Sequence, residues 1–286
     1  ITQVAEQGCQ VAIVSQPIDA EICQLVVPDT RLALGQLGAY RRAQNPQLKV
    51  IALTGSSGKT TTKEMLGSIL SRIAPTLVTR GNLNNDLGVP VMLLELRPEH
   101  QYAVMELGAS HQGEIDYTSN LVQPLVAGII NIGTAHLGEF GGRDGICRAK
   151  SEIYAHIAPN GTSIVPAADD FADSIRQAVQ TEPVLSFGAG GEIFATEIEL
   201  QAQSATFKLN TPQGVRQVNL PFAGEHNVQN ATAAAAFALA IGISLDDIVL
   251  GLEQAVGAKG RLNFIQQGRH LLIDDTYNAN PTSMRA

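Results

Sequence analysis

A chain of 286 residues with 44% apolar and 16% charged side chains is long enough for one large α/β unit plus a further piece, and its balance fits a globular enzyme. Its formal charge of −8 argues against a nucleic-acid partner, whose phosphate backbone asks for a basic face. No apolar run reaches the roughly 18 residues of a membrane insertion, and Cys9, Cys23 and Cys147 lack metal-ligand spacing, so reduced thiols in a cytoplasmic protein are expected.

Residues 1–44 read as the tail of a small α/β domain, with strands over 11–14 and 25–27 and a helix over 30–42. Asn45-Pro46 makes a natural break. The central stretch follows: Val50, Ile51, Ala52 and Leu53 form a short apolar run, as expected of a parallel strand covered on both faces. Gly55, Ser56, Ser57 and Gly58 then supply a tight turn into a helix. Two positions without a bulky Cβ let backbone N–H groups converge on phosphate oxygens, and the helix adds its positive end. Lys59 is placed as the charge on the β/γ-phosphates and Thr60 as a hydroxyl for the accompanying Mg2+. A strict phosphate-loop run would carry glycine where Leu53 stands, so a purely structural Gly-rich turn is the alternative.

Beyond the turn, helices are expected over 60–73, 88–96, 114–121 and 144–157, and strands over 102–106, 125–131 and 162–165. Such alternation implies right-handed crossovers, a mostly parallel sheet and ligands at the strands' C-terminal ends. After residue 189, alternating segments over 192–200, 205–209 and 215–220 suggest a small antiparallel extension. Helices over 227–241 and 245–256 and a strand over 270–273 complete the reading. The fold class is therefore α/β, a mostly parallel sheet flanked by helices with a small antiparallel β extension.

Glu106 closes an apolar strand at the ligand-bearing edge, where it is either a Mg2+ ligand or a solvated strand-end charge. His136, after the next strand, is brought to the same edge; a lone histidine is otherwise a hydrogen-bonded surface or core group. Lys150 reads from spacing alone as a solvated helix residue. Asn82, Asn84, Asn85 and Asp86 exceed what one helix cap requires, which points to substrate hydrogen bonding, although capping is the plainer reading. Asn227 and Asn230 are three apart on one helix face.

The ordered blocks TGSSGKTTTKE, GNLNNDLGVP, MELGASHQGEI, NIGTAHLGEF, RAKSEIY, GEHNVQNATAAAA and DDTYNANPTSM resemble the Mur ligases over about 45–286, more weakly over 1–44. The resemblance implies that ATP phosphorylates a carboxylate and an amine then attacks the acyl phosphate. The blocks over 84–90 and 277–281 are most similar to the dipeptide-adding branch, which implies UDP-MurNAc-tripeptide and D-Ala-D-Ala as substrates. The third-residue-adding branch, folylpolyglutamate synthase and a non-catalytic nucleotide-binding regulator are the alternatives.

By the same resemblance Gly55, Ser56, Ser57, Gly58, Lys59, Thr60 and Thr61 hold the nucleotide phosphates. Lys59, Glu106, His136 and Lys150 are the catalytic set. Thr60, Glu106, His136 and a CO2-modified Lys150 hold Mg2+. Asn227, Asn230, Arg261, Asp275, Tyr277 and Asn278 border the nucleotide, and Asn84, Asn85, Ser110 and His111 face the substrate. The implied organisation is the remainder of a UDP-substrate domain over 1–44 and the central ATP domain over 45–286. The family's C-terminal domain would lie beyond this chain, both ends would be cut from something longer, and a monomer that binds nucleotide but forms little amide alone is expected.

Overall fold

The computed structural model describes residues 3, 6–134 and 137–278. Its centre is a six-stranded parallel sheet built from β3 (Lys49–Thr54), β4 (Thr76–Val78), β5 (Tyr102–Glu106), β6 (Val126–Ile129), β7 (Thr162–Pro166) and β8 (Val184–Phe187), in the order β4-β5-β3-β6-β7-β8. The strand that carries the turn, β3, thus lies between β5 and β6. Its apolar run serves two cores at once. Val50 and Ala52 point to one face and Ile51 and Leu53 to the other, all fully buried. Full burial of side chains the size of Val50, Ile51 and Leu53 stabilises the fold by about 1.5–3 kcal/mol each.

One face of the sheet is covered by α3 (Gly88–Leu94), α4 (Glu114–Val122) and α6 (Arg143–Ser151), around Met92, Leu93, Ile115, Ile146 and Tyr154, with α1 (Thr30–Ala43) packed outside on α3 and α4. The other is covered by α2 (Lys59–Ser71), α8 (Glu225–Ala240) and α9 (Leu245–Glu253), around Met65, Leu66, Ile69 and Phe237. The alanines of α8 explain its place. A helix buried nearly all round must be small-sided to lie close to α2 and to the sheet. Against α8 packs the antiparallel sheet of β9 (Phe194–Leu200), β10 (Ala205–Thr211) and β11 (Gly214–Leu220), whose Phe207, Leu209, Val218 and Leu220 turn inward.

The parallel pair β1 (Val11–Val14) and β2 (Cys23–Val26) precedes α1, which Asp29 caps by accepting from the Arg31 and Leu32 N–H groups at 2.7 and 3.1 Å. The last turn of α1 is bonded across the proposed 44/45 division. Arg41 Nε donates to the Leu96 carbonyl at 2.7 Å and Arg42 Nε to that of Val122 at 3.0 Å. At Gly38 an added Cβ would lie 2.9 Å from Pro90 Cα, so only glycine lets α1 approach α3 this closely.

Several elements were not expected: β4, β8, the short helices α5 (Leu137–Phe140) and α7 (Ala172–Ala178), and β12 (Asn263–Gln267), which pairs antiparallel with β13 (His270–Asp274). The helix expected over 144–157 stops at Ser151 and tightens into a 3-10 turn, Glu152–Tyr154, where the Tyr154 hydroxyl is drawn to the Ile164 carbonyl at 2.8 Å. Among the described residues, no helix is long and apolar enough to cross a membrane.

Candidate nucleotide site

The register that sets Leu53 beside Glu106 and Thr54 beside Ile129 brings the ends of β3, β5 and β6 to one edge. At that edge Gly58 sits in the left-handed region (φ 75°) at the start of α2, and a Cβ there would lie 2.2 Å from Asn230 Oδ1. Glycine is therefore required twice, by the backbone and by the asparagine packed upon it. The Thr62 N–H bonds back to the Gly58 carbonyl at 2.9 Å, leaving the N–H groups of Lys59, Thr60 and Thr61 at the open end of the helix. Lys59 Nζ folds over the loop to the Gly55 carbonyl at 2.9 Å. Burial lowers its pKa, Glu106 opposes that shift and Arg261 adds to it.

A residue not singled out from the sequence, Asn131, braces this loop. Its Oδ1 accepts from the Ser56 and Ser57 N–H groups at 3.1 and 3.0 Å, and its Nδ2 donates to the Ser57 carbonyl at 3.0 Å. The next residue is clipped on both sides. The Ile132 N–H donates to Asp169 at 2.8 Å, and Arg143, stacked on Phe171, donates to the Ile132 carbonyl at 2.9 Å. The Ser56 hydroxyl is buried with no partner among the described residues, an orphaned polar atom inside a loop that fits phosphate oxygens.

Glu106, only 2% exposed, accepts from Thr60 Oγ1 at 3.1 Å on one oxygen and from Asn84 Nδ2 at 2.8 Å on the other. Lys150 is 4% exposed, and its side-chain amine makes no hydrogen bond or ion pair among the described residues. Burial, helped by the Lys59 charge and opposed by Glu106, brings its pKa down from 10.5 to about 7. No cluster of three or more His, Cys, Asp or Glu capable of holding a metal occurs among the described residues. One buried carboxylate beside a hydroxyl, at a phosphate loop, is instead the sparse oxygen set suited to Mg2+, which keeps waters and leans on substrate phosphates. His136 lies outside the described residues.

The expected substrate residues divide. Asn84 is committed to Glu106, whereas Asn85 Oδ1 accepts from the Gly88 N–H at 2.8 Å and caps α3. The Ser110 and His111 N–H groups donate to Glu114 Oε2 at 2.8 and 3.3 Å, which fixes the loop and leaves the His111 ring largely exposed. Burial pushes the Glu114 pKa up, but these bonds and the His111 ring outweigh it and lower it. Glu152, also not anticipated, reaches the Gly113 and Asp116 N–H groups at 2.8 and 3.1 Å and caps α4.

On the α8 side the buried pair is joined, Asn230 Nδ2 donating to Asn227 Oδ1 at 3.1 Å while Asn227 Nδ2 holds the Ala223 carbonyl at 2.8 Å. The Arg261 guanidinium lies 4.2 Å from the centre of the Tyr277 ring, and Asp275 Oδ1 accepts from the Leu262 N–H at 3.3 Å. Asn278, next in the chain, is engaged as well. A cavity of about 430 Å3 lies elsewhere, with Asp116, Cys147, Arg148 and Glu152 in its wall.

The family model described as "Mur ligase middle domain" matches residues 53–238. A UDP-N-acetylmuramoyl-tripeptide--D-alanyl-D-alanine ligase of Escherichia coli (strain K12) is 45% identical over 288 residues, covering 99% of this chain and 64% of the relative. Crystal structure I of MurF from Acinetobacter baumannii superposes with a TM-score of 0.97 at 80% identity, over 99% of this chain and 63% of that one. The MurF ligase of Thermotoga maritima in complex with ADP gives 0.89 at 26% identity, over 99% and 66%. The chain thus spans just under two thirds of the length of the curated relatives it matches first.

Proposed function

Because the chain belongs to the Mur ligase family, we propose that it forms the nucleotide-binding part of an ATP-dependent, ADP-forming amide ligase acting in the cytoplasm as a monomer. In this reading the terminal carboxylate of UDP-MurNAc-tripeptide is phosphorylated by ATP, and the amine of D-Ala-D-Ala displaces phosphate from the resulting acyl phosphate. The substrate pair comes from the name of the E. coli relative and from the blocks around Asn84-Asn85 and Tyr277-Asn278. The proposed organisation is a substrate-side unit over 1–44 and an ATP unit over 45–286, tied together by α1.

The observation that carries the reading is the Lys59–Thr60–Glu106 arrangement at the end of β3. Transfer of a phosphoryl group needs charge neutralisation and in-line placement more than an acid or base. The open N–H groups of α2 and Lys59 are suited to the first need. Thr60 and Glu106, with His136 and a modified Lys150, would hold Mg2+, which when bound supplies a Lewis-acid charge on the phosphates. Lys150 is suited to modification because a pKa of about 7 leaves much of its amine neutral. The neutral amine adds to CO2, a nitrogen–carbon bond forms and one proton leaves, giving an anionic oxygen donor of the kind Mg2+ prefers. Asn227, Asn230, Arg261, Asp275, Tyr277 and Asn278 are proposed to border adenine, ribose and phosphates, and Asn84, Asn85, Ser110 and His111 the muramoyl substrate.

The direct test incubates the full-length protein with ATP, UDP-MurNAc-tripeptide and either D-Ala-D-Ala, diaminopimelate or glutamate, and weighs the product. Amide formation with D-Ala-D-Ala alone is expected. Lys150→Ala should abolish it, and short-chain carboxylates should restore part of it. Tight nucleotide binding with no amide from any amine would instead favour a nucleotide-binding regulator.

A further inference from the structure

Three charged side chains are buried among the described residues: Glu106, Lys150 and Lys63. The site described above uses the first two. Lys63, one helical turn beyond Lys59, is 0% exposed, and a buried ammonium is costly unless fully bonded. Its Nζ donates to the Thr79 carbonyl at 2.7 Å and lies 2.7 Å from Glu64 Oε1. Thr79, itself 1% exposed, is the residue just past β4. Its Oγ1 accepts the Glu106 N–H at 3.0 Å and donates to the Val104 carbonyl at 3.2 Å. From Thr79 the chain passes directly to Asn84, whose amide holds the Glu106 carboxylate at 2.8 Å. Main chain and side chain of Glu106 are therefore both held from a segment whose starting point Lys63 grips.

We infer that Lys63 is a positioning residue for Glu106, acting through Thr79, and that cation-assisted nucleotide binding depends on it. A methionine would fill the same volume without burying a charge, so packing alone gives no reason for a lysine here. The bond from Lys63 to the backbone carbonyl just past β4 supplies one. This inference rests on the nucleotide reading above for its metal half and on the hydrogen bonds alone for its positioning half.

The test titrates a fluorescent ADP analogue into the full-length protein, with Mg2+ and with EDTA, and follows amide hydrogen exchange at Glu106. Variants are Lys63→Met, Thr79→Val and Thr79→Ser. Outer partners of a metal ligand typically cost about 10–100-fold in metal affinity when removed. Lys63→Met and Thr79→Val should lose a gain of that order from Mg2+, keep their affinity in EDTA and exchange faster at Glu106. Thr79→Ser, which keeps the hydroxyl, should match the parent on all three. A folded Thr79→Val protein with the full Mg2+ gain and parental exchange overturns the inference, and so does an equal fall in affinity with and without Mg2+. If the parent shows no Mg2+ gain, the metal reading fails, and the exchange rates of Lys63→Met then decide the positioning role by themselves.

Discussion

Replacing Lys150 by methionine should make the protein more stable while removing the group proposed to take up CO2. The amine has a pKa of about 7 in the fold against the usual 10.5. Because the folded value is the lower one, the unfolded chain binds more protons between those two pH values, so stability rises with pH across that window. The full cost of burying the amine is present below pH 7 and has vanished above 10.5. At ~1.4 kcal/mol for each factor of ten, that cost is on the order of 4 kcal/mol at pH 7 and about 2 kcal/mol at pH 9. Methionine occupies a similar volume without the charge, so the variant should exceed the parent by up to these amounts. The chain has no tryptophan, so unfolding is best followed by circular dichroism in guanidinium chloride, in CO2-free buffer at both pH values. A variant no more stable than the parent at pH 7, or an advantage that does not shrink at pH 9, would refute the reasoning. A stabilising substitution at this position would also mark Lys150 as a residue retained at the expense of stability.

Asn131→Ala removes four hydrogen bonds to the phosphate loop, three of them at about 1 kcal/mol each and a longer one from the Ser57 hydroxyl, and should weaken ADP binding by about 10–100-fold in a titration of the purified protein. Gly58→Ala forces a Cβ toward Asn230 in a left-handed backbone, so nucleotide binding should be lost and the fold destabilised by about 1–2 kcal/mol from the backbone alone, seen as a lower melting temperature. Glu152→Ala uncaps α4 at a cost of about 1–2 kcal/mol and should speed exchange of the Gly113 and Asp116 amides without altering ADP affinity.

The parallel sheet could be read because β3 and β5 are continuous apolar runs that end in polar residues, a pattern produced by burial on both faces. Elements that escaped reading lack such a signature. β4 is three residues long, α7 buries only Ile175, and β12 is half polar because it pairs only with β13. The meeting of Lys59, Thr60 and Glu106 at one sheet edge was legible from the strand ends, and the three-residue spacing of Asn227 and Asn230 is met by their mutual hydrogen bond. Lys150 was visible only through the family resemblance, since its burial comes from packing that its neighbours in sequence do not encode. Asn131, Glu152 and Arg143 bond to backbone groups 74, 39 and 11 positions away, and no sequence pattern says which distant amide or carbonyl a side chain will meet. Asn85, expected at the substrate, also caps α3 through its Oδ1, the plainer role its residue type allows.

The strand order has a kinetic consequence. β3 pairs with β5 and β6, from which it is separated by about 50 and 75 positions of chain, and the loop before α2 takes its shape only when Asn131, just past β6, has arrived. Non-local pairings of this kind close slowly, because the entropy of looping is lost before the contacts that reward it form. Refolding from denaturant should therefore restore helical dichroism well before it restores affinity for ADP. During that lag the chain would already hold its helices yet be blind to nucleotide, so ADP added early should leave the rate of recovery unchanged while stabilising the final state.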